Sequence, residues 1–241
     1  MKIVEFVEVN HAYADRVVLK NISISFPANK LTAIIGKSGS GKSTLLQSVN
    51  GLIKPISGTV NIFGEKFNYK QFTAIRLRMG YMVQGTGLFP HLTVAENISI
   101  ADKLIAGSIS KTDRIKELMT LVGLPESFQI KYPYELSGGE QQRVGICRAL
   151  FLNPSLLLMD EPFGSLDPIT RFEIQKEILR LQQLEPRTIL LVTHDMREAS
   201  KLADYILVLD KGEIQQFDTS EKVLKSPINK TVEELINATL A

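Results

Sequence analysis

The stretch that most limits what this chain can become runs from residue 31 to residue 44. Leu31-Thr32-Ala33-Ile34-Ile35 is mostly apolar and strand-like. Gly36-Lys37-Ser38-Gly39-Ser40-Gly41-Lys42-Ser43-Thr44 follows, and Leu45, Leu46 and Val49 then mark an apolar-periodic segment. In order, this predicts a strand, a glycine-rich turn and a helix. Gly-x-x-x-x-Gly-Lys-Ser in that setting is a phosphate-binding loop, or P-loop. Glycines at 36, 39 and 41 open backbone conformations closed to other residues, so successive N–H groups can wrap a polyphosphate. A helix starting near Lys42 adds the positive end of its dipole. Lys42 is placed to reach the β- and γ-phosphates and the Ser43 hydroxyl to ligate Mg²⁺. A Gly/Ser loop that only turned the chain would not need a strand before it and a helix after it.

Composition narrows the rest. A chain of 241 residues suits one large domain or two small lobes. Its 28 basic and 26 acidic side chains leave a net charge of only +2 with no Lys/Arg block, which argues against an electrostatic nucleic-acid binder. The single cysteine, Cys147, lies in an apolar-periodic segment. It reads as a core residue in a reducing compartment. The N-terminal residues lack the apolar centre of a signal peptide. No run of about 18 apolar residues is present to span a bilayer, so a membrane would be met through a partner.

Along the chain, Val4–Val9 and Ile22–Phe26 are expected strands, with Ile22, Ile24 and Phe26 alternating against Ser23 and Ser25. After the P-loop helix come a turn at Lys54–Gly58, a strand at Thr59–Phe63, a strand-like Gly80–Gln84 and a punctuated loop at Gly85–Pro90. From about Leu92 to Leu136 strand signals vanish, and Ile115, Leu118, Met119 and Val122 mark a helical face; an all-helical insertion is expected here. Helix resumes over Glu140–Leu150. Leu156–Met159 and Thr188–Thr193 read as strands buried on both faces. Asp167-Pro168 is a helix cap and first turn, and Ile174, Ile178 and Leu181 follow on one face. Ile206–Leu209 and Glu213–Gln216 form an expected hairpin, and a polar tail with one amphipathic helix, Val232–Leu240, closes the chain.

Two further segments carry chemistry. Leu156-Leu157-Leu158-Met159-Asp160-Glu161 puts two carboxylates at the carboxyl end of a buried strand, where parallel sheets open onto their ligand crevice. Asp160 would hold Mg²⁺, directly or through water. Glu161 would take a proton from the attacking water, a step typically worth about 10²–10⁴-fold. Leu136-Ser137-Gly138-Gly139-Glu140-Gln141-Gln142-Arg143 offers N–H groups of a serine and two glycines at a helix start, as an anion requires. An ordinary capping box accounts for Ser137 and Glu140. It does not account for two adjacent glycines in the first turn, where they weaken the helix.

Taken together these segments resemble the nucleotide-binding subunit of an ATP-binding-cassette (ABC) transporter over nearly the whole chain. Gly36–Ser43 resembles Walker A, Leu156–Glu161 resembles Walker B with its catalytic glutamate, and Leu136–Arg143 is similar to the family signature. Gln84 matches the Q-loop, Ser165-Leu166-Asp167 the D-loop and His194 the switch histidine. The resemblance implies an α/β P-loop NTPase fold with a RecA-like mixed-sheet core, an antiparallel β subdomain and a helical subdomain. It also implies a single domain over 1–241, with the catalytic lobe at about 1–84 and 137–241 and the helical subdomain at about 85–136.

The same resemblance implies that two copies face head to tail. Each ATP would lie between residues 36–44 (Gly36, Lys37, Ser38, Gly39, Ser40, Gly41, Lys42, Ser43, Thr44) of one copy and Ser137, Gly138 and Gly139 of the other. Tyr13 would stack on adenine. Gln84 would contact Mg²⁺ or the attacking water, His194 would hold the γ-phosphate and Glu161 in register, and Asp167 would act across the dimer. Leu88–Ile98 and Met159–Arg171 resemble importer ATPases, most closely those serving osmoprotectants and quaternary amines, which implies uptake of a small polar solute, a quaternary amine or an amino acid. The implied setting is cytoplasmic, on the inner face of the membrane, with permease subunits and a solute-binding protein as partners. Two alternatives stand at this point: the ATPase of an exporter or lipid transporter, and a soluble ABC ATPase acting on nucleic acid or ribosomes. Against the latter, the chain has a single cassette, no cysteine pair and no basic stripe.

Overall fold

The computed structural model describes residues 2–85, 87–104 and 111–240. Thr86, in the expected Gly85–Pro90 loop, and residues 105–110 of the expected helical insertion lie outside the described residues. In chain order the first half runs β1 (Lys2–Tyr13), β2 (Arg16–Pro27), β3 (Leu31–Ile35), α1 (Lys42–Val49), β4 (Ser57–Ile62), β5 (Glu65–Lys66), α2 (Thr73–Arg76), β6 (Met79–Met82), α3 (Val94–Ile98) and α4 (Lys111–Leu121). The second half runs α5 (Gly138–Leu150), β7 (Leu156–Asp160), α6 (Pro168–Leu184), β8 (Thr188–Val192), α7 (Met196–Leu202), β9 (Tyr205–Asp210), β10 (Glu213–Thr219), α8 (Ser220–Lys225) and α9 (Lys230–Leu240). These elements divide between two compact units. One comprises Met1–Arg76 with Arg187–Ala241, the other Leu77–Pro186.

The first unit contains an antiparallel sheet ordered β2-β1-β4-β5 and a strand group ordered β10-β9-β3-β8. In that group β9, β3 and β8 run parallel while β10 pairs antiparallel to β9, so the pairing is mixed. Every residue of β3 and of β8 is buried, which is why both read as unbroken apolar runs rather than alternating ones. One face of β3 and β9 is closed by α7, α8 and α9: Ala33, Ile35, Ile206 and Val208 pack with Met196, Ala199, Val223, Val232 and Ile236. β1 and β2 are each at least twice the length that their apolar alternation marks. The polar segment His11–Asp15 continues both strands into a tight turn instead of separating them. The sequence pattern also misses α8, whose six residues carry a single fully buried apolar side chain, Val223.

In the second unit β6 and β7 pair in parallel, with Met82 beside Met159. Helix α5 is its centre, with Val144, Ile146, Cys147 and Leu150 buried and α3, α4 and β6 packed against it. Between Val94 and Glu135 the regular elements among the described residues are all helices or 3₁₀ turns. Burial pushes the Cys147 thiol pKa up, and its Sγ donates to the Leu118 carbonyl at 3.3 Å; it is a core residue of α5. Among the described residues no helix is long and apolar enough to cross a membrane.

Candidate functional site

In the first unit the P-loop leaves the carboxyl end of β3 and enters α1 through Gly41, which stands in the N-cap position with φ 107° and no side-chain cap. Two of its glycines are demanded by neighbours. A Cβ on Gly36 would stand 2.0 Å from the Leu209 carbonyl oxygen, and one on Gly41 would stand 2.7 Å from that of Val18. β2 and β9 therefore press the turn from two sides and fix its backbone. The β9–β10 turn adds a bond, with the Gly212 N–H donating to Ser40 O at 3.0 Å, while Lys20 N–H donates to Gly212 O at 2.8 Å. Lys42 is buried and its ammonium donates to the carbonyls of Gly36 (2.8 Å) and Lys37 (3.0 Å), so the cation sits inside the turn. The Ser40 hydroxyl is buried with no hydrogen-bond partner among the described residues. A constrained cradle holding a cation and an unsatisfied hydroxyl fits a phosphate chain.

Tyr13 ends β1 half exposed, its ring edge-on to His11 at 4.8 Å. Its cross-strand partner, Arg16, carries Nη2 to within 3.2 Å of where a Gly39 Cβ would be, so the hairpin tip borders the P-loop. His194 is exposed just past β8, which lies beside β3 in parallel register, Val192 against Ile34. The P-loop and His194 thus leave neighbouring strands at the same end. Thr193 is pinned there, its N–H donating to Ile34 O and its hydroxyl donating to the buried Glu198 carboxylate at 2.6 Å. Neither Glu198 nor Gly212 stood out in the sequence. The first reads as one more surface charge of α7, and the second as an ordinary hairpin glycine.

The second unit repeats the strand-end arrangement with β6 and β7. Gln84 is exposed two residues beyond β6, and β7 ends on buried Asp160, followed by Glu161. Glu161 has φ 48°, a left-handed conformation that costs a non-glycine residue about 1–2 kcal/mol. Asp167 caps α6 by accepting from the N–H groups of Ile169 and Thr170; the Thr170 side chain first, and then these N–H groups, hold its carboxyl below the usual carboxylate range.

The Ser137–Gly139 turn opens α5. Ser137 is a full capping box with Glu140: its hydroxyl accepts from Glu140 N–H, and the Glu140 carboxylate accepts from Ser137 N–H. That bond holds the Glu140 carboxyl low. Nothing lies within 4 Å of a Cβ added at Gly138, and at Gly139 the nearest atom, Ser165 O, is at an ordinary 3.4 Å.

The next three side chains of α5 each hold a different segment. Gln141 Nε2 donates to the carbonyls of Pro133 and Leu136, and Gln142 bridges Glu161 and Ser165. Arg143 donates to the carbonyls of Val122 and Gly123 just beyond α4. Farther along, Arg148, its pKa lowered by burial, donates to Gly87 O at 2.7 Å near the segment that carries Gln84.

A glycine cradle closed around a lysine on a central parallel strand defines a P-loop nucleotide-binding fold, and the capped Ser-Gly-Gly turn narrows that class. The family model described as ABC transporter matches residues 19–164, and the chain belongs to that family. It is 45% identical over 219 residues to the carnitine transport ATP-binding protein OpuCA of Listeria monocytogenes, which covers 90% of this chain and 55% of that protein. To the glycine betaine uptake system ATP-binding protein YehX of Escherichia coli (strain K12) it is 42% identical over 232 residues, covering 96% and 75%. The chain thus spans about half the length of OpuCA. The dimeric structure of a post-hydrolysis state of the ATP-binding cassette MJ0796 bound to ADP and Pi superposes with a TM-score of 0.84 at 32% identity, over 90% of this chain and 98% of that one.

Proposed function

We propose that this chain is the ATP-binding and ATP-hydrolysing subunit of an ABC importer, energising uptake of a small polar solute through a separate membrane permease. The observation that carries this reading is the P-loop itself: two glycines held against carbonyl oxygens of β2 and β9 around the Lys42 ammonium. The importer assignment and the solute class, a quaternary amine, draw support from the relatives, whose names refer to carnitine and glycine betaine.

On this reading the backbone N–H groups of residues 36–44 and Lys42 bind the triphosphate, and Tyr13 stacks on adenine. Ser43, Asp160 and Gln84 would hold Mg²⁺, all three being the oxygen donors that this hard cation prefers. The metal, when bound, offsets charge on the β- and γ-phosphates. The Glu161 carboxylate accepts the proton of the attacking water, and His194 keeps the γ-phosphate in register. Ser137, Gly138 and Gly139 serve the nucleotide held by a second copy, with Asp167 working across the same boundary. Residues 85–136 act as a helical subdomain that carries the response of Gln84 to the permease, and 1–84 with 137–241 form the catalytic lobe. The complex sits on the inner face of the cell membrane and receives solute from a binding protein.

The test is ATP turnover by the purified chain with Mg²⁺, alone and with its permease. Glu161→Gln should leave ATP binding intact and lower turnover by at least about 10²-fold. Near-normal turnover would remove Glu161 from the role of base, and a wild-type chain inert even beside its permease would overturn the reading.

A further inference from the structure

Gln142 lies in the second turn of α5 and is 3% exposed. Both ends of its amide are engaged. Nε2 donates to the Glu161 carbonyl at 3.1 Å, and Oε1 accepts from the Ser165 N–H at 2.9 Å. One planar group thereby closes the five-residue segment Glu161-Pro162-Phe163-Gly164-Ser165. Within that segment the Gly164 N–H also reaches Glu161 O, at 3.4 Å. The segment begins on a residue in a left-handed conformation, which glutamate does not favour by itself. One turn earlier on the same helix, a Cβ added at Gly139 would stand 3.4 Å from Ser165 O. The opening of α5 and the backbone of Glu161 are therefore tied through one buried amide.

We propose that Gln142 is a positioning residue for ATP hydrolysis, fixing the Glu161 backbone and the start of the Ser165–Asp167 segment to the helix that presents Ser137–Gly139. This rests on the role given to Glu161 above. A side chain here must donate at one end and accept at the other with a four-atom reach, and only glutamine among unbranched side chains does both. Glutamate keeps the acceptor for Ser165 but turns an oxygen toward the Glu161 carbonyl. Methionine keeps the length and loses both bonds. Because Glu161 must be held to within a fraction of an ångström of the attacking water, loosening its backbone acts on the chemical step and leaves nucleotide binding alone.

The experiment compares Gln142→Met and Gln142→Glu in the whole chain, each in the wild-type and the Glu161→Gln backgrounds. Thermal melting, ATP affinity, kcat and KM are read together with hydrogen exchange at the Ser165 amide. Gln142→Met should lower kcat at least about 10-fold with KM within about twofold, speed exchange at Ser165, and cause no further loss once Glu161 is glutamine. Gln142→Glu should retain protection at Ser165 yet lose kcat, separating the two bonds even where the methionine variant folds poorly. Unchanged kcat in a folded variant, a rise confined to KM, or an equal fractional loss in both backgrounds would overturn the proposal. A wild-type chain hydrolysing ATP in a Glu161-dependent way leaves the underlying function standing whatever Gln142 does; turnover indifferent to Glu161 removes both.

Discussion

Two glycine-bearing turns, each at the start of a helix, are built on opposite principles. The turn at Gly36–Gly41 is made by backbone compression: β2 and β9 place carbonyl oxygens where side chains would be, and α1 begins with no side-chain cap at all. The turn at Ser137–Gly139 is made by side chains, with a complete capping box and open space beside Gly138. In the first the glycines serve the fold of their own chain. In the second the fold has no use for them, and they weaken the helix they begin. A position left bare at a cost in helix stability is explained by something outside the chain that must approach it, which is the role proposed for a second copy's nucleotide.

That contrast can be broken by substitution. The largest effect is expected at Gly41→Ala, where a φ of 107° and the Val18 carbonyl oppose any side chain. A loss of at least about 2–3 kcal/mol in folding stability should accompany loss of nucleotide binding, read by denaturant unfolding and by titration. Ser137→Ala should cost about 1 kcal/mol, the worth of an N-cap, leaving nucleotide binding by the P-loop of the same chain untouched. Gly138→Ala should move stability the other way, gaining a few tenths to about 1 kcal/mol, while ATP turnover falls. A Gly138→Ala chain that was both more stable and fully active would remove the functional reason for that glycine.

The smallest effect concerns the sheet whose β1–β2 hairpin borders the P-loop. Glu5 on β1 accepts from Lys2, from Ser25 of β2 and from Asn61 of β4, and those bonds lower its pKa from 4.5 to about 2. Because the folded chain favours the carboxylate, Glu5 contributes stability above about pH 4.5, and that contribution is lost as pH falls toward 2. Glu5→Gln should lower the melting temperature slightly at pH 7, with the difference gone near pH 2. A constant difference across that range would mean that charge is not what these bonds respond to.

Much of this was legible beforehand. Buried runs such as Leu156–Met159 and Thr188–Thr193 announce parallel strands, and the P-loop announces its own geometry because backbone sterics leave few residue choices. The order of Gln84, Ser137–Gly139, Asp160-Glu161, Asp167 and His194 carried the family likeness. What escaped is what depends on distant pairing. His11–Asp15 is polar and reads as a loop, yet cross-strand bonds carry β1 and β2 through it to a two-residue turn. Helix α8 is too short to show a period, and packing of Val223 under β9 decides it. Gln142, Arg143 and Glu198 are ordinary polar letters whose partners lie 19 to 23, 20 to 21 and 5 residues away, so only the fold reveals what they hold.

The most direct measurement is the mass of the Glu161→Gln chain in solution with and without ATP, repeated with Gly138→Glu added. An acidic side chain in the first turn suits α5 in isolation but would meet a triphosphate with like charge. The account predicts a dimer with ATP for Glu161→Gln, and a monomer that still binds ATP once Gly138→Glu is added. An ATP-dependent dimer that survives Gly138→Glu would contradict it.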